Sequence, residues 1–587
     1  MKKSLIISGI LTVGIFLFSG CGMGESYDVI VVGGEPEGVS AAVSAARSGM
    51  KTLLVEEDAD LGGLMTTGGL NFIDMCTGKD GTLLTRGTFL EFHDAVGGTA
   101  FDIPEAKAAF LQMAEAEENL TVKLETEFVE PIMKESAIKG VIVKEDGKEL
   151  KCKSDYVIDA TTDADVAAAA GADYTYLGED YGQTDGKTGV TLVFRINGID
   201  WPKVQQYLKE DNNPNTGCTE KAAWGYNEQS FAYEPTDPQT RLRGLNIALQ
   251  KDGSALVNGF IIFGVDPLDP ESKQDGMERG KAEIERLIPY LRENYVGLEN
   301  VELADTADTL YVRESRHIVG EYSLKLDDVL ENRNFEDTIA IGSYPVDVPP
   351  NGDRLVGIIL GNPDRYGVPF RCLVPKKIDD LLVVGRSASY TSLAAGSARV
   401  IPLGMAEGDA AGIATAYAKE NDITFRDMCK NPDMVEGLQQ RIKEMGGYLE
   451  SWPNVKEPYQ MHWAYEGVKT LRNLALIEGG YQNDYQLDDV LSEEEWNKLV
   501  NGLFWFHNQK NADYKAENGV NNAVVLKEAA VMAGLQETDA RSELAEAGIL
   551  TEELNTFFTE DNRVPNRAEV VMLMANVHNY LMEQKNK

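Results

Sequence analysis

Cysteine is scarce and scattered here: six in 587 residues. No pair forms C-x-x-C, none has zinc-ligand spacing, and no C-x-x-C-H haem signature occurs. A dithiol redox centre, a structural zinc and a c-type haem are therefore not expected. Beyond Cys21, the five others (Cys76, Cys152, Cys218, Cys372 and Cys429) are odd in number, which argues against a fully paired disulfide framework. Positive charge is also short, with 55 Lys+Arg against 95 Asp+Glu and a formal net charge of −40. Such a surface repels phosphates, so nucleic acid is excluded as a partner, and adsorption to anionic membranes is disfavoured. The acidity reads as a solvated surface. One apolar run, residues 5–18, follows Lys2 and Lys3. It is shorter than the roughly 20 residues of a spanning helix and fits the h-region of a secretory signal. It ends Leu17-Phe18-Ser19-Gly20-Cys21, small residues before a cysteine, as in a bacterial lipobox. Residues 1–20 are thus expected to be a lipoprotein signal peptide, with a membrane lipid anchor on Cys21 and an extracytoplasmic mature protein. An ordinary signal peptide with an incidental cysteine is the alternative.

An apolar content of 43% with 26% charged residues suits a globular chain of two to four domains. Residues 27–42, YDVIVVGGEPEGVSAA, read as strand, glycine turn and helix start, and residues 51–56, KTLLVE, as a second strand ending in an acid. That is the layout of a dinucleotide-binding βαβ unit. Gly33 allows the tight turn, Gly38 lets helix and strand pack closely, and Pro36 suits the first helical turn. The helix N-terminus offers N–H groups and a positive dipole end to a pyrophosphate, and Glu56 is placed to accept from a ribose hydroxyl. Glu35 stands where the middle glycine of G-x-G-x-x-G belongs. A carboxylate beside a pyrophosphate is repulsive, so its side chain is expected to point away, with only backbone facing the cofactor.

Residues 122–159 alternate β-rich runs with turns, including Asp146-Gly147, a hairpin signal. Residues 166–171 are alanine-rich and helical. Residues 176–375 mix strands, Pro/Gly loops and an amphipathic helix near 275–295, as expected of an inserted substrate-facing domain. Residues 380–385 (DLLVVG) return as a buried strand, and 403–419 read as a helix of small residues. From about 455 the chain turns helical and charged. Segments 476–500 and 547–574 share a loose pattern of helix, aromatic loop rich in Asp and Asn, and helix. The second contains Asn566-Arg567-Ala568-Glu569, similar to the T-R-A-E element of S-layer homology repeats, whereas the first has Ser492-Glu493-Glu494-Glu495. This module is expected either to grip cell wall or simply to pack on the rest of the protein.

Four further segments follow the first glycine loop in order: residues 60–69 (DLGGLMTTGG), 158–165 (IDATTDAD), 380–386 (DLLVVGR) and 396–412 (GSARVIPLGMAEGDAAG). Together with residues 68–75 (GGLNFIDM), 313–322 (RESRHIVGEY) and 366–375 (YGVPFRCLVP), they resemble the FAD-dependent oxidoreductases of the fumarate-reductase and glutathione-reductase-like superclan, in particular a secreted bacterial branch. The likeness covers about residues 27–420; it departs at Glu35, at Thr162 for a more usual glycine, and at His317 for a frequent arginine. It implies an α/β fold: a Rossmann-like FAD-binding domain (21–175 and 376–425) with an inserted α+β substrate domain (176–375), a linker (426–454) and a C-terminal helical domain (455–587). It implies FAD held by Gly33, Gly34, Glu37, Gly38, Glu56, Gly62, Gly63, Ala160, Thr161, Gly385, Arg386, Arg399, Gly404 and Met405. The flavin would be non-covalent, because no histidine lies near the first glycine segments and no D-G-x-T-G-A-[ST] site occurs. A plain NAD dehydrogenase explains the first βαβ unit but not the return at 380–412.

Flavoproteins move hydride at flavin N5, and the protein orients the substrate and handles the proton. Arg313, Arg316, His317 and Arg371 are the candidates for that work. Guanidinium forks bind carboxylates bidentately, and a histidine serves as acid or base near neutrality. The expected substrate is a small polar molecule bearing a carboxylate. Arg313 and Arg316 pairing structurally with Glu314, Glu321 or Asp327 is the plainer alternative. A surface-binding protein that has lost its flavin, and an electron-transfer component needing a redox partner, are the competing functions.

Overall fold

The computed structural model describes residues 26–182, 187–351, 357–507, 513–516 and 519–585. The expected signal peptide and Cys21 lie outside the described residues. No helix among the described residues is long and apolar enough to cross a membrane.

Strand β1 (Ser26–Val32) is buried on both faces from Val29 to Val31, which explains its unbroken apolar run. It pairs in parallel with β2 (Thr52–Val55) on one side, and β2 with β3 (Leu120–Lys123). Strands β4 (Thr126–Lys134) and β5 (Ala137–Glu145) form a hairpin that leads into the twelve-residue β6 (Lys148–Asp159). The length of β6 serves two purposes. Its first half pairs antiparallel with β5 across the Asp146-Gly147 turn, where both residues have positive φ as a two-residue hairpin requires. Its second half pairs in parallel with β1 and with the strand Leu381–Val383. The parallel core thus runs β3-β2-β1-β6 and then the returning strand, a doubly wound order closed by a segment more than 200 residues downstream.

Helix α1 (Pro36–Arg47) begins with proline in its first turn and is buried from Pro36 to Ala46. It packs on the helix Ile401–Asn421, and the contact is backbone to backbone: a Cβ on Gly412 would lie 2.3 Å from the Ala41 carbonyl oxygen. The buried Asp409 carboxylate joins the two, accepting from Ser44 Oγ at 2.7 Å and from the Thr88 N–H and hydroxyl.

The inserted domain is a seven-stranded antiparallel sheet whose centre is Thr240–Leu249 and Ala255–Ile262. The helix Pro270–Asn294 covers one face; it starts five residues before the expected position because Asp269 accepts from the Glu271 N–H and Pro270 fills the first turn. The sheet ends near residue 306. Residues 324–374 pack instead into the same core as β1 and α1, so the insertion is shorter than the expected 176–375. The expected linker is also structured: the helices Phe425–Met428 and Pro432–Glu444 bury Phe425, Met428, Leu438 and Ile442 in that core. The apolar spacing of the second helix carries it.

Residues 459–581 build a separate helical core around Trp496. The Asn566-to-Glu569 element works inside this module. Arg567 bonds Glu495 and Gln486, and Glu569 accepts from the Asn566 N–H at 3.1 Å and from Arg563 at 2.7 Å. The module docks on the α/β body through Arg472, whose side chain is fully buried and whose Nη2 lies 2.6 Å from Asp327 Oδ1. Asp327→Ala should leave that guanidinium buried without a counter-charge, a cost of about 3 kcal/mol. Calorimetry should then show a separate low-temperature transition, and limited proteolysis faster cleavage of the module; an unchanged single transition would contradict this account of the docking.

Candidate active site

A large cavity of about 1230 Å³ opens between the α/β body, the inserted sheet and the C-terminal module. It exceeds the roughly 300–1,000 Å³ of an ordinary ligand pocket, which gives room for a cofactor and a substrate together.

One end is built by the nucleotide domain. The first glycine turn sits directly on the end of β6: Gly33 has φ +101° and its Cβ would fall 2.5 Å from Ala160 O, a place no other residue fits. Gly34 donates to Glu56, whose other oxygen accepts from the Asp58 N–H at 2.8 Å, and Gly62 donates to Gly34 O at 2.7 Å. Two long helices start here, α1 at Glu35 and Ile401–Asn421 at Val400, neither with a side-chain cap. Glu35, Glu37, Val400, Ile401 and Pro402 line the cavity, so two uncapped N-termini with their positive dipole ends face it. Those ends and the glycine turn form a cradle that fits a pyrophosphate and a flavin ring.

Of the residues expected to hold the cofactor, Glu37, Ala160, Thr161, Gly385, Arg386 and Arg399 line the cavity. Gly33, Gly34, Gly38, Glu56, Gly62 and Gly63 lie one layer behind, shaping the turn, and Gly404 lies against the Glu37 side chain beside buried Met405. Arg386 ties the return segment to β6 and the insert, pairing with Asp163 at 2.8 Å and donating to Thr162 O and Val312 O. Glu35 lines the cavity, and its carboxylate reaches across to the next glycine loop to accept from the Leu64 N–H at 3.1 Å. Burial pushes the Glu35 carboxyl up to about 7, with Glu37 beside it adding to the shift; burial likewise raises Glu37 and Glu56 to about 7.

The other end is built by the inserted sheet. Arg241, Arg243, Asn246 and Ala248 line the cavity from one strand while Leu242, Leu245 and Ile247 enter the core. The phase changes from odd to even because the pairing slips between Leu242 and Asn246. Arg313 joins them, buried, with its ring-stacked guanidinium 4.1 Å from the Tyr311 centroid and donating to Thr191 Oγ1 and Gly189 O. Burial, reinforced by Arg243 and Arg399, pulls its pKa down to about 10. Among the described residues, Arg241, Arg243 and Arg313 have no carboxylate within ion-pair distance, and the buried Nε atoms of Arg241 and Arg243 have no partner. Arg399 lies 3.7 Å from Asp347. Asp74 faces the same space and hydrogen-bonds Tyr344; burial first and Asp347 second hold its carboxyl above the usual range. Trp224 stacks on Phe72 at 6.0 Å along the wall.

Three expected catalytic residues lie elsewhere. Arg316 pairs with Asp165 at 2.8 Å and covers Tyr174, because the strand Arg316–Ile318 pairs with Tyr174–Tyr176 outside the cavity. His317 is buried with Nε2 3.4 Å from Glu314 Oε1. Arg371 grips Asp337 with two nitrogens, at 2.8 and 3.0 Å. None of the three lines the cavity, and each already has a carboxylate. Only Arg313 of that group reaches it. Sequence reasoning missed Asp74, Arg241, Arg243, Tyr311 and Tyr344; the Arg-x-Arg alternation opposite apolar residues in TRLRG was the readable signal.

Among curated proteins, the chain is 27% identical over 144 residues to the thiamine thiazole synthase of Methanococcus vannielii, covering 23% of this chain and 55% of that one, so it matches about half the length of that relative. Among solved structures, it is similar to a geranylgeranyl bacteriochlorophyll reductase-like protein from Thermoplasma acidophilum, with 14% identity, 89% and 99% of the two chains covered and a TM-score of 0.37. It is also similar to a flavoprotein/dehydrogenase from Cytophaga hutchinsonii, with 11% identity, 82% and 93% covered and a TM-score of 0.35. The model of the family described as FAD dependent oxidoreductase matches residues 28–442, and the chain belongs to that family.

Proposed function

We propose that this FAD-dependent oxidoreductase acts on a small polar substrate bearing a carboxylate, outside the cytoplasm and held by a lipid on Cys21. The location rests on the pattern of residues 2–21 alone. The substrate class rests on one observation: Arg313 is a buried cation with no carboxylate partner among the described residues, facing a cavity that also holds Arg241 and Arg243. A buried charge is costly unless paired, so an anionic ligand supplies what the protein leaves out. FAD, once bound in the glycine cradle, supplies the two-electron hydride chemistry.

The chain's own residues do the rest. Arg243 and Arg313 hold the carboxylate, and the Trp224–Phe72 wall packs the apolar part of the molecule. Asp74 and Tyr344 share a proton beside it. A carboxyl hydrogen-bonded to a tyrosine is placed to pass a proton to or from a molecule held there.

The test is a flavin-reduction screen of the holoenzyme against carboxylates and polyols, repeated with two arginine variants. Arg243→Ala and Arg313→Ala should each lower kcat/KM for a carboxylate by about 10²-fold, the worth of a charge-assisted hydrogen bond. Arg316→Ala and Arg371→Ala should change it little. Equal rates in all four would remove the carboxylate reading.

Cofactor affinity should depend on pH through Glu35. A pyrophosphate brought near that carboxyl favours its protonated form, so binding takes up a proton and tightens as pH falls through about 7. Fluorescence titration of apoprotein with FAD should show about tenfold tighter binding at pH 6 than at pH 8. Glu35→Gln should flatten this dependence, and tighter binding at the higher pH would refute it.

A further inference from the structure

The C-terminal helical module reads in the sequence as a unit apart, yet it supplies part of the cavity wall. Glu478, Gly480, Tyr481 and Gln482 line the same cavity as Arg243 and Arg313. They belong to the loop between the helices Tyr465–Arg472 and Glu493–Phe506. This loop is bonded to the cavity's own wall. The strand Ile358–Ile359 lines the cavity, and the residues just after it hold the loop: Leu360 O accepts from the Gly479 N–H at 3.0 Å. Asn362 and Asn483 make a reciprocal clamp, with the Asn362 N–H on Asn483 Oδ1 at 2.7 Å and Asn483 Nδ2 on Asn362 O at 2.8 Å. Asn362 Nδ2 also donates to Tyr481 O at 3.0 Å. Asn483 has φ +53°, a conformation asparagine tolerates better than most residues. Behind the loop stands the buried Arg472–Asp327 pair, which fixes the helix that precedes it.

The outcome is a fixed backbone carrying an uncommitted side chain. Tyr481 remains 55% exposed although its carbonyl is held, and it faces the cavity end that contains Asp74, Asp347 and Arg243. Those carboxylates and partial burial raise its hydroxyl pKa, which keeps it a neutral donor at physiological pH. A large aromatic left open on a rigid loop, with its hydroxyl toward a charged cluster, is poor use of the residue for stability. It is well placed to touch a ligand, since aromatic side chains offer wide contact at small entropic cost.

We infer that the C-terminal module is a working part of the oxidoreductase: its 478–482 loop forms the outer wall of the substrate end of the cavity, and Tyr481 is a specificity-determining residue there. This rests on the oxidoreductase reading of the cavity and adds to it that substrates must fit under Tyr481.

The experiment uses the full-length holoenzyme, with malonate, succinate and glucuronate titrated while the flavin absorbance is followed, and with the rate of flavin reduction by dithionite as a probe of access. Tyr481→Ala is compared with Tyr481→Phe, with Arg243→Ala, and with Met461→Ala as a control on an exposed residue of the same module. Tyr481→Ala should shift the Kd of at least one acid by about threefold to tenfold, the worth of one aromatic contact, and speed reduction by dithionite. Met461→Ala should alter neither. If the acids bind and Arg243→Ala weakens them while Tyr481→Ala leaves every Kd unchanged, the inference is overturned and the carboxylate reading stands. If no acid binds the wild type, the carboxylate reading falls and the dithionite rate decides alone: faster reduction in Tyr481→Ala supports the outer wall, and an unchanged rate overturns it.

Discussion

Where α1 crosses the helix Ile401–Asn421, Gly408 and Gly412 leave no side chain between the two backbones, and a Cβ at either would stand about 2.2–2.3 Å from a carbonyl oxygen of the partner. Interiors packed at crystal density cannot absorb such an overlap. The crossing therefore fixes how two segments nearly 400 residues apart meet, and it brings both helix N-termini to one cavity. Asp409 completes the joint with three accepted hydrogen bonds that offset part of the cost of its burial. The returning strand Leu381–Val383 pairs on β6, and Arg386 just beyond it bonds Asp163, Thr162 and Val312, which ties the insert to the same sheet. Cofactor cradle, substrate sheet and docking face for the C-terminal module all take their positions from that contact.

The cavity is polarised against the charge of the whole molecule. A chain of net charge −40 places its uncompensated arginines at one end of the cavity. At the other end Glu35 and Glu37 line it with Glu56 one layer behind, all three carboxyls raised to about 7. Like charges crowded in a poorly solvated place keep protons that water would remove. The helix dipoles point the same way, since a positive N-terminus next to a protonated carboxyl is a better host for phosphate than one next to a carboxylate. The acidic surface cannot draw an anionic substrate from afar, so recognition of the substrate is left to short-range contacts inside.

The βαβ unit and the returning strand were legible in sequence because each is local: an apolar strand, a glycine turn and a proline-started helix declare themselves within twenty residues. The substrate end was not. Arg241 and Arg243 share the cavity face with Asn246 and Ala248 only because the strand slips register between them, and no period-two pattern crosses such a slip. The RESRH segment misled for the opposite reason. Arg313, Arg316 and His317 are neighbours in sequence, but the short strand Arg316–Ile318 turns the last two toward Asp165 and Glu314 while Arg313 faces inward. Charge density along the chain therefore marked a segment of which Arg313 reaches the cavity and Arg316 and His317 do not. The segment read as a linker failed similarly: Pro and Gly at its margins marked its ends, while the apolar stripe of Val435, Leu438 and Ile442 that docks it is spread across one helix.

The C-terminal module bears on how such enzymes are assembled. A tethered unit that merely rode on the body would meet it through a wet, polar contact, as interdomain surfaces usually do. Here the contact carries a fully buried guanidinium whose counter-charge, Asp327, comes from the body, with Tyr465 and Asn473 reaching the same acidic turn. An isolated module would bury that cation unpaired or expose the core beside it, and either state is costly. Module and body are therefore coupled through a buried ion pair, and the loop between the module's first two helices has a fixed place on the cavity rim. A wall held by backbone hydrogen bonds can change an exposed side chain such as Tyr481 with little movement of the rest. The position of Tyr481 is accordingly one where substrate preference can vary at small cost to the fold.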